Sequence, residues 1–155
     1  MKNKKTALFV LALSAAVVIL LACYFSVGGE RLSAPLTQLR EGNVIRIVKS
    51  REPSEKSEIV QTADCGEAQE DMLIALIEST KFTRIVSRIV PFTDTDRYLI
   101  TVEAPNGNTL FRLESYGGEF LIADYSPGDA PVKHYKLKIR NPEWKPALEE
   151  ILSAA

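Results

Sequence analysis

The N-terminal segment constrains this chain most, because basic residues there precede a long apolar run. Lys2, Lys4 and Lys5 are followed by residues 7–27, which carry no charged side chain. Roughly 20 apolar residues in a helix cross the hydrocarbon core of a bilayer, so this run is long enough to span one. Lysines concentrate on the cytoplasmic flank of a span. We therefore expect a single-pass anchor in the cell membrane, with a cytoplasmic N-terminus and Glu30 onward outside.

The leader has two alternative fates besides a retained signal anchor over residues 1–27. The segment Leu20-Leu21-Ala22-Cys23 resembles the lipobox of bacterial lipoproteins, in which Cys23 would be lipidated and become the first mature residue. Tyr24 and Phe25 follow the cysteine, where small or polar residues are usual, and weigh against it. Cleavage near residues 26–28 is the third alternative, although the apolar run is longer than the roughly 7–15 residues of a cleaved signal. All three place the remaining chain outside the cytoplasm.

The rest of the chain is large enough for one domain and has an ordinary charge balance. Residues 28–42 mix Gly, Pro, Ser and charged side chains, which predicts a linker; the alternative is a short helical turn that docks Leu32, Leu36 and Leu39 on the domain. Residues 43–155 predict one extracytoplasmic domain. Three of the 19 Lys and Arg lie in the leader, and the others stand against 20 Asp and Glu. A net negative domain without a clustered basic face argues against a nucleic-acid partner. No glycine-rich phosphate loop is present, and we expect no cofactor.

Apolar periodicity predicts an α+β fold for residues 43–155. The apolar spacing within Glu67–Ser79 predicts a helix, and Asn141-Pro142 predicts the start of a second helix that reaches Leu152. Alternating or β-branched segments between turn signals predict strands, at residues 43–49, 57–62, 83–90, 97–103, 109–115, 119–124 and 132–140. Tight turns predict a largely antiparallel sheet of about five to seven strands, with two helices packed on one face and the N-terminal membrane helix before it.

Cysteines and carboxylates give weak chemical signals. Cys23 belongs to the leader and Cys65 is the only other cysteine, so the outer domain has no internal disulfide. Cys65 stands at a predicted helix start, but nearby acidic residues oppose a thiolate, so we interpret it as a buried or half-buried residue. Asp94, Asp96 and Glu103 are the carboxylates from which an acid/base pair acting on cell-wall polymer would be drawn. Turn-forming aspartates are the favoured interpretation.

The C-terminal half supplies the candidate binding residues. Tyr125, Lys133, His134 and Tyr135 flank the loop Ser126–Pro131. Aromatic side chains beside a basic strand are typical of surfaces that bind protein or glycan. The competing interpretation, which we favour, places the aromatic residues in the core and the basic residues on a solvated face. His134 is the single histidine and has no Cys, Asp or Glu at metal spacing, so we predict no metal site.

Several features of the chain occur together. They are the basic-apolar leader, one helix after a hairpin, the strand His134-Tyr135-Lys136-Leu137-Lys138, and Asn141-Pro142-Glu143 before a closing helix to Leu152. In this combination the chain resembles small envelope domains and lipoproteins of Gram-positive bacteria whose function is uncharacterised. The resemblance implies an envelope location and an α+β fold, and it supplies no catalytic residues.

The expected location of the domain outside the cytoplasm thus predicts its role better than any sequence motif does. We expect a non-enzymatic, membrane-tethered module that binds an envelope protein or glycan by strand addition or loop insertion. A hydrolase that acts on cell-wall polymer through loop carboxylates is the alternative.

Overall fold

The computed structural model describes residues 2–51, 58–85, 96–125 and 133–154 of the 155-residue chain. Within these ranges it contains four helices and eight strands. In chain order they are α1 (Lys2–Phe25), β1 (Ser26–Gly28), α2 (Glu30–Leu39), β2 (Val44–Arg51), β3 (Glu58–Asp64), α3 (Glu67–Ser79), β4 (Lys81–Arg84), β5 (Asp96–Glu103), β6 (Thr109–Tyr116), β7 (Phe120–Tyr125), β8 (Lys133–Ile139) and α4 (Trp144–Ser153).

The eight strands form one antiparallel sheet, in the order β1-β4-β8-β7-β6-β5-β2-β3. This confirms the predicted α+β class and the antiparallel pairing. The predicted count of about five to seven strands is too low, because β1 lies in the segment predicted as leader and linker. β1 is three residues long and pairs with β4, with Val27 opposite Phe82. Of the strand predicted at 83–90, residues 86–90 lie outside the described residues.

The segment predicted as a linker, residues 28–42, differs most from its prediction, because it contains α2. Leu32 and Leu36, four residues apart on one helix face, are 3% and 0% exposed, and α2 packs against α3. Gly29 permits this close approach, since a Cβ there would lie 1.9 Å from the backbone oxygen of Ile77 in α3. The apolar stripe therefore makes this segment part of the folded domain.

One face of the sheet is apolar and packs against α2, α3 and α4. Alternate residues of the strands point to this face and are almost fully buried, among them Ile45, Ile47, Tyr98, Ile100, Val102, Phe111, Leu113, Leu121, Ala123, Leu137 and Ile139. α4 adds the fully buried Trp144, whose Nε1 donates to Ser115 Oγ at 2.9 Å and whose ring meets Phe82 edge-on. The large aromatic residues near the centre of the sheet are thus core residues.

Both predicted domain helices exist, and α3 spans Glu67–Ser79 as predicted, whereas α4 starts later than Asn141-Pro142 suggests. Gly66 is the N-cap of α3, and its N–H donates to the Gln69 Oε1 at 2.6 Å. α4 starts at Trp144, because Asn141 Oδ1 accepts from the Glu143 N–H at 3.0 Å and holds a turn before the helix. An Asn side chain that binds the backbone two residues on favours such a turn over an immediate helix start.

α1 is a 24-residue helix whose described side chains are mostly exposed. Phe9, Leu11 and Leu20 are 69%, 72% and 69% exposed, and Cys23 is exposed on the same helix. Within the described part of the chain, no helix combines the length and the hydropathy of a membrane span. The N-terminal membrane helix therefore stays a prediction.

Replacing Leu36 by alanine tests whether α2 belongs to the folded domain. Leu36 is fully buried, so we expect Leu36→Ala to lower the free energy of unfolding by about 2–5 kcal/mol. The matched control is Thr37→Ala at the next, exposed position of α2, which we expect to change it by less than about 0.5 kcal/mol. Chemical denaturation followed by Trp144 fluorescence measures both. Equally small effects would mean that α2 is only a linker.

Candidate functional site

A pocket of about 440 Å³ lies between α2 and the apolar face of β6, β7 and β8. Its lining residues are Arg31, Leu32, Ala34, Pro35 and Gln38 from α2 and Phe111, Ala123 and Tyr135 from the sheet. Two of them, Ala34 and Ala123, are small, which leaves room between the helix and the strands. Small-molecule sites are concave, mostly apolar and roughly 300–1,000 Å³ in volume, with a few polar groups. The pocket meets this description.

Tyr135 is the predicted binding residue that the structure brings to this pocket, and Arg84 connects it to α1. The guanidinium carbon of Arg84, at the end of β4, lies 5.6 Å from the ring centroid of Tyr135 and 5.1 Å from that of Tyr24. Cation–π contacts at such distances contribute about 0.5–2 kcal/mol. Because Tyr24 immediately precedes the last residue of α1, the pocket wall and the leader helix share one arginine as a neighbour.

His134 lies on the other face of the sheet from Tyr135, because successive strand residues point to opposite faces. Its Nδ1 is 2.5 Å from Oδ1 of Asp124, the residue directly opposite on β7. The His134 side chain is 51% exposed, and an exposed pair of this kind contributes about 0–1 kcal/mol. His134 and Tyr135 therefore do not form one site.

The remaining candidates lie at the ends of β7 and β8. Tyr125 and Lys133 oppose each other in register, but their side chains and the loop Ser126–Pro131 lie outside the described residues. Lys138 shares the face of His134, and its Nζ is 5.9 Å from the ring centroid of Phe120. The described part of this basic strand thus lies along the sheet surface, as the solvated-face interpretation expects.

Sequence reasoning missed the pocket, its lining residue Arg31 and the neighbouring Arg84. The spacing of Leu32 and Leu36 was a signal for α2, which was predicted only as the alternative to a linker because Pro35 lies between them. No sequence signal marks Arg84, because its two aromatic neighbours come from α1 and β8, far away in the chain.

Asp96 and Glu103 do not converge into an acid/base pair. Asp96 Oδ2 is 2.9 Å from Nζ of Lys145 on α4, whereas Glu103 Oε2 is 2.7 Å from Nη1 of Arg46 on the opposite face of the sheet. The two carboxylates stand at opposite ends of the eight-residue strand β5, roughly 23 Å apart at about 3.3 Å per residue. Asp94 lies outside the described residues. Among the described residues, no group of three or more His, Cys, Asp and Glu is placed to hold a metal ion.

A polar cluster between α4 and the sheet holds Asp96 and Glu149 in their ionised forms. Burial opposes the ionisation of Glu149, but hydrogen bonds from Lys49 and from the Tyr98 hydroxyl outweigh it and lower the pKa of this carboxyl. Burial likewise opposes the ionisation of Asp96, and hydrogen bonds from Lys145 and Arg51 lower its pKa. Each carboxylate therefore joins strand to helix or strand to strand, which is a structural role.

Cys65 is a half-buried residue between β3 and α3. Burial raises the pKa of its thiol to about 11, and the charges of Glu70 and Asp64 add to the effect. The thiolate is the reactive form of cysteine, so a thiol with this pKa is almost entirely protonated at neutral pH. The half-buried position of Cys65 agrees with the structural interpretation of this residue.

Alkylation kinetics test the state of Cys65 in a chain carrying Cys23→Ser. The pKa of the thiol rises from 9.0 to about 11 in the folded chain. Each pKa unit changes the thiolate fraction about tenfold, so we expect iodoacetamide at pH 8 to react roughly 100-fold more slowly with folded than with urea-unfolded chain. Similar rates in the two states would identify an activated thiol instead.

The lowered pKa of Glu149 predicts an acid dependence of stability. Its folded-state pKa lies below 4.5, so the ionised carboxylate stabilises the fold above that value, and this contribution is lost as the pH falls through the folded-state pKa. We expect Glu149→Gln to lower the free energy of unfolding at pH 7 by about 1 kcal/mol and to flatten its decline in acid. The control is Glu150→Gln, exposed on the same helix. Urea titrations from neutral pH to pH 3 measure the slopes, and identical slopes for Glu149→Gln and the parent chain would contradict the assignment.

Comparisons of this chain with protein families, curated proteins and solved structures find no significant match. The resemblance to small envelope domains of Gram-positive bacteria therefore stays a prediction, and the function is argued from the site itself.

Proposed function

We propose that this chain is a membrane-tethered, extracytoplasmic binding module that holds a small apolar or amphiphilic ligand between α2 and the sheet. The observation that carries the proposal is the pocket of about 440 Å³ beside the end of α1. Arg84 contacts both Tyr135 in the pocket wall and Tyr24 in α1. The Arg84 side chain thus connects the pocket wall to the segment expected to enter the membrane.

The surface of α1 supports the membrane tether. Large apolar side chains from Phe9 to Leu21 are at least half exposed with one exception, Val17 at 48%. Contiguous exposed apolar surface of this kind marks a membrane or protein contact. Basic residues before the apolar run favour a cytoplasmic N-terminus, which would leave the sheet outside. Tyr24 and Phe25 at the end of the helix suit the interfacial region, where aromatic rings concentrate.

Lipidation of Cys23 is the alternative tether, and it leaves the site unchanged. A lipoprotein signal would be removed up to Cys23, so that the mature chain would begin one residue before Tyr24. Tyr24, β1 and α2 would all remain. The proposal therefore needs an anchor at the end of α1 but does not depend on which of the two anchors the cell makes.

A non-enzymatic role is supported by the way the described carboxylates are used. Asp96 and Glu149 bind lysines of the cluster between α4 and the sheet, and Glu103 binds Arg46. Acid/base catalysis needs a positioned group within hydrogen-bond reach of a substrate, and none of these three faces the pocket. The hydrolase alternative gains no support from the described residues.

Filling the pocket tests the proposal. Ala34 is half-buried and lines the pocket, so we expect Ala34→Phe to occupy the ligand volume. Native mass spectrometry of the full chain extracted from its own membrane should detect a bound adduct on the parent chain and none on Ala34→Phe. The matched control is Thr37→Phe, the same substitution at an exposed position of α2, which should keep the adduct.

Thermal unfolding of each variant shows whether it is folded before its adduct is scored. An adduct retained by folded Ala34→Phe would place the ligand elsewhere on the chain. A parent chain without any adduct, combined with a stoichiometric protein partner in crosslinked membranes, would replace the small ligand by a protein.

A further inference from the structure

We infer that the pocket takes a single-chain amphiphile with an anionic head group, drawn from the outer surface of the membrane. This rests on the proposed function and goes beyond it, because it names the chemistry of the ligand. The head group would meet Arg31 and Arg84, and the alkyl chain would lie between α2 and the sheet.

The charge of the site carries the first part of the argument. Most other described arginines have a carboxylate partner: Arg40, Arg46, Arg51, Arg97 and Arg112. Arg31 in the pocket wall and Arg84 beside Tyr135 form no ion pair with any described carboxylate. Arg31 lines the pocket together with Tyr135, and Arg84 contacts Tyr135 from outside the lining. Guanidinium groups without a carboxylate partner favour an anion, since guanidinium binds carboxylate and phosphate oxygens through paired N–H donors.

A buried hydrogen-bond donor of Arg84 is the second observation in favour of an anionic ligand. The Nε of Arg84 is buried and has no acceptor among the described residues. A buried donor without an acceptor costs about 1–3 kcal/mol, so a ligand oxygen that accepted from Arg84 would remove this cost. The Tyr24 and Tyr135 rings engage the guanidinium through cation–π contacts, and these leave its N–H groups available to a ligand oxygen.

The apolar lining and the volume define the rest of the ligand. Leu32, Pro35 and Phe111 supply apolar surface to the pocket lining. The pocket volume of about 440 Å³ lies near the lower end of the roughly 300–1,000 Å³ range of small-molecule sites, which suits a ligand with one alkyl chain. Polar and apolar side chains in one lining match an amphiphile.

The position of the site favours the membrane as the source. Tyr24 lies in the last turn of α1 and contacts Arg84, so a ligand leaving the membrane surface beside α1 would meet Arg84 first. Burial of an alkyl chain contributes about 0.8 kcal/mol per methylene group, and the chain gains a similar energy in the bilayer. The pocket therefore competes with the bilayer only if the head group adds binding energy, which the arginines would supply.

Photo-crosslinking of the full chain in zwitterionic vesicles tests the inference. Three probes carry the same diazirine-labelled tetradecyl chain and differ in the head: carboxylate, phosphate monoester or trimethylammonium. After irradiation, peptide mass spectrometry measures labelling of α2 and β6. We expect both anionic probes, or one of them, to label these segments at least about tenfold more than the cationic probe, the ratio that one charge-assisted hydrogen bond supplies. The stronger of the two anionic probes identifies the head group.

Arginine variants separate the head-group claim from the pocket itself. Arg31→Gln, alone and with Arg84→Gln, should lower labelling by the anionic probe about tenfold and leave labelling by the cationic probe unchanged. Arg140→Gln removes the same charge at an exposed site outside the pocket and should have no effect. Because Arg31 is exposed, its variant will fold even where loss of Arg84 disturbs α1.

The outcomes are distinguishable. Equal labelling of α2 and β6 by anionic and cationic probes, insensitive to Arg31→Gln, would overturn the inference of an anionic ligand and leave the pocket as a binding site. Labelling confined to α1, with none on α2 or β6 by any probe, would overturn the proposed function as well. Labelling of α2 and β6 that Ala34→Phe abolishes and Arg31→Gln weakens supports both.

Discussion

The structure depends on covering one apolar face of a single antiparallel sheet with three short helices. A sheet face that is apolar must pack against another element, and each helix supplies an apolar stripe for it. α4 places Trp144 and Leu148 there, and α3 adds Leu73 and Ile77. α2 completes the layer over the β6 side with small side chains, so coverage there is incomplete and the pocket remains. The site is thus a consequence of how α2 packs on the sheet.

The other sheet face is stabilised by charge instead of by helices. Arg46 bridges Asp64 and Glu103 from the two neighbouring strands, at 2.6 and 2.7 Å. The Glu114 side chain is only 7% exposed and pairs with Arg97 and Arg112. A carboxylate removed from water is costly unless it is paired, so these arginines are needed to hold Glu114 on the sheet.

Local patterns predicted most of the sheet and little of the site, for a physical reason. Alternation of apolar and polar residues depends on neighbours in the chain, so the strands from β5 to β8 and the helix Glu67–Ser79 could be read directly. The alternation of side chains along β8 also places Tyr135 and His134 on opposite faces of the sheet. They therefore do not form the single binding surface that was one of the two interpretations of this segment. α2 was predicted only as the alternative to a linker, because a proline lies within its short stripe of Leu32, Leu36 and Leu39. The neighbours of Arg84 are fixed only by tertiary pairing of β1 with β4 and of β4 with β8, which no local pattern encodes.

The junction between α1 and β1 bears on the choice among the three expected fates of the leader. β1 begins at Ser26, directly after α1, and its pairing with β4 buries Val27 to 3% exposure. Cleavage near residues 26–28 would cut this strand and separate Tyr24 from Arg84, exposing apolar surface that the fold buries. A retained anchor and a lipidated Cys23 both keep the strand and the tyrosine. The packing of β1 therefore agrees better with either proposed tether than with cleavage at residues 26–28, and it keeps the proposed binding site next to the end of α1 in both cases.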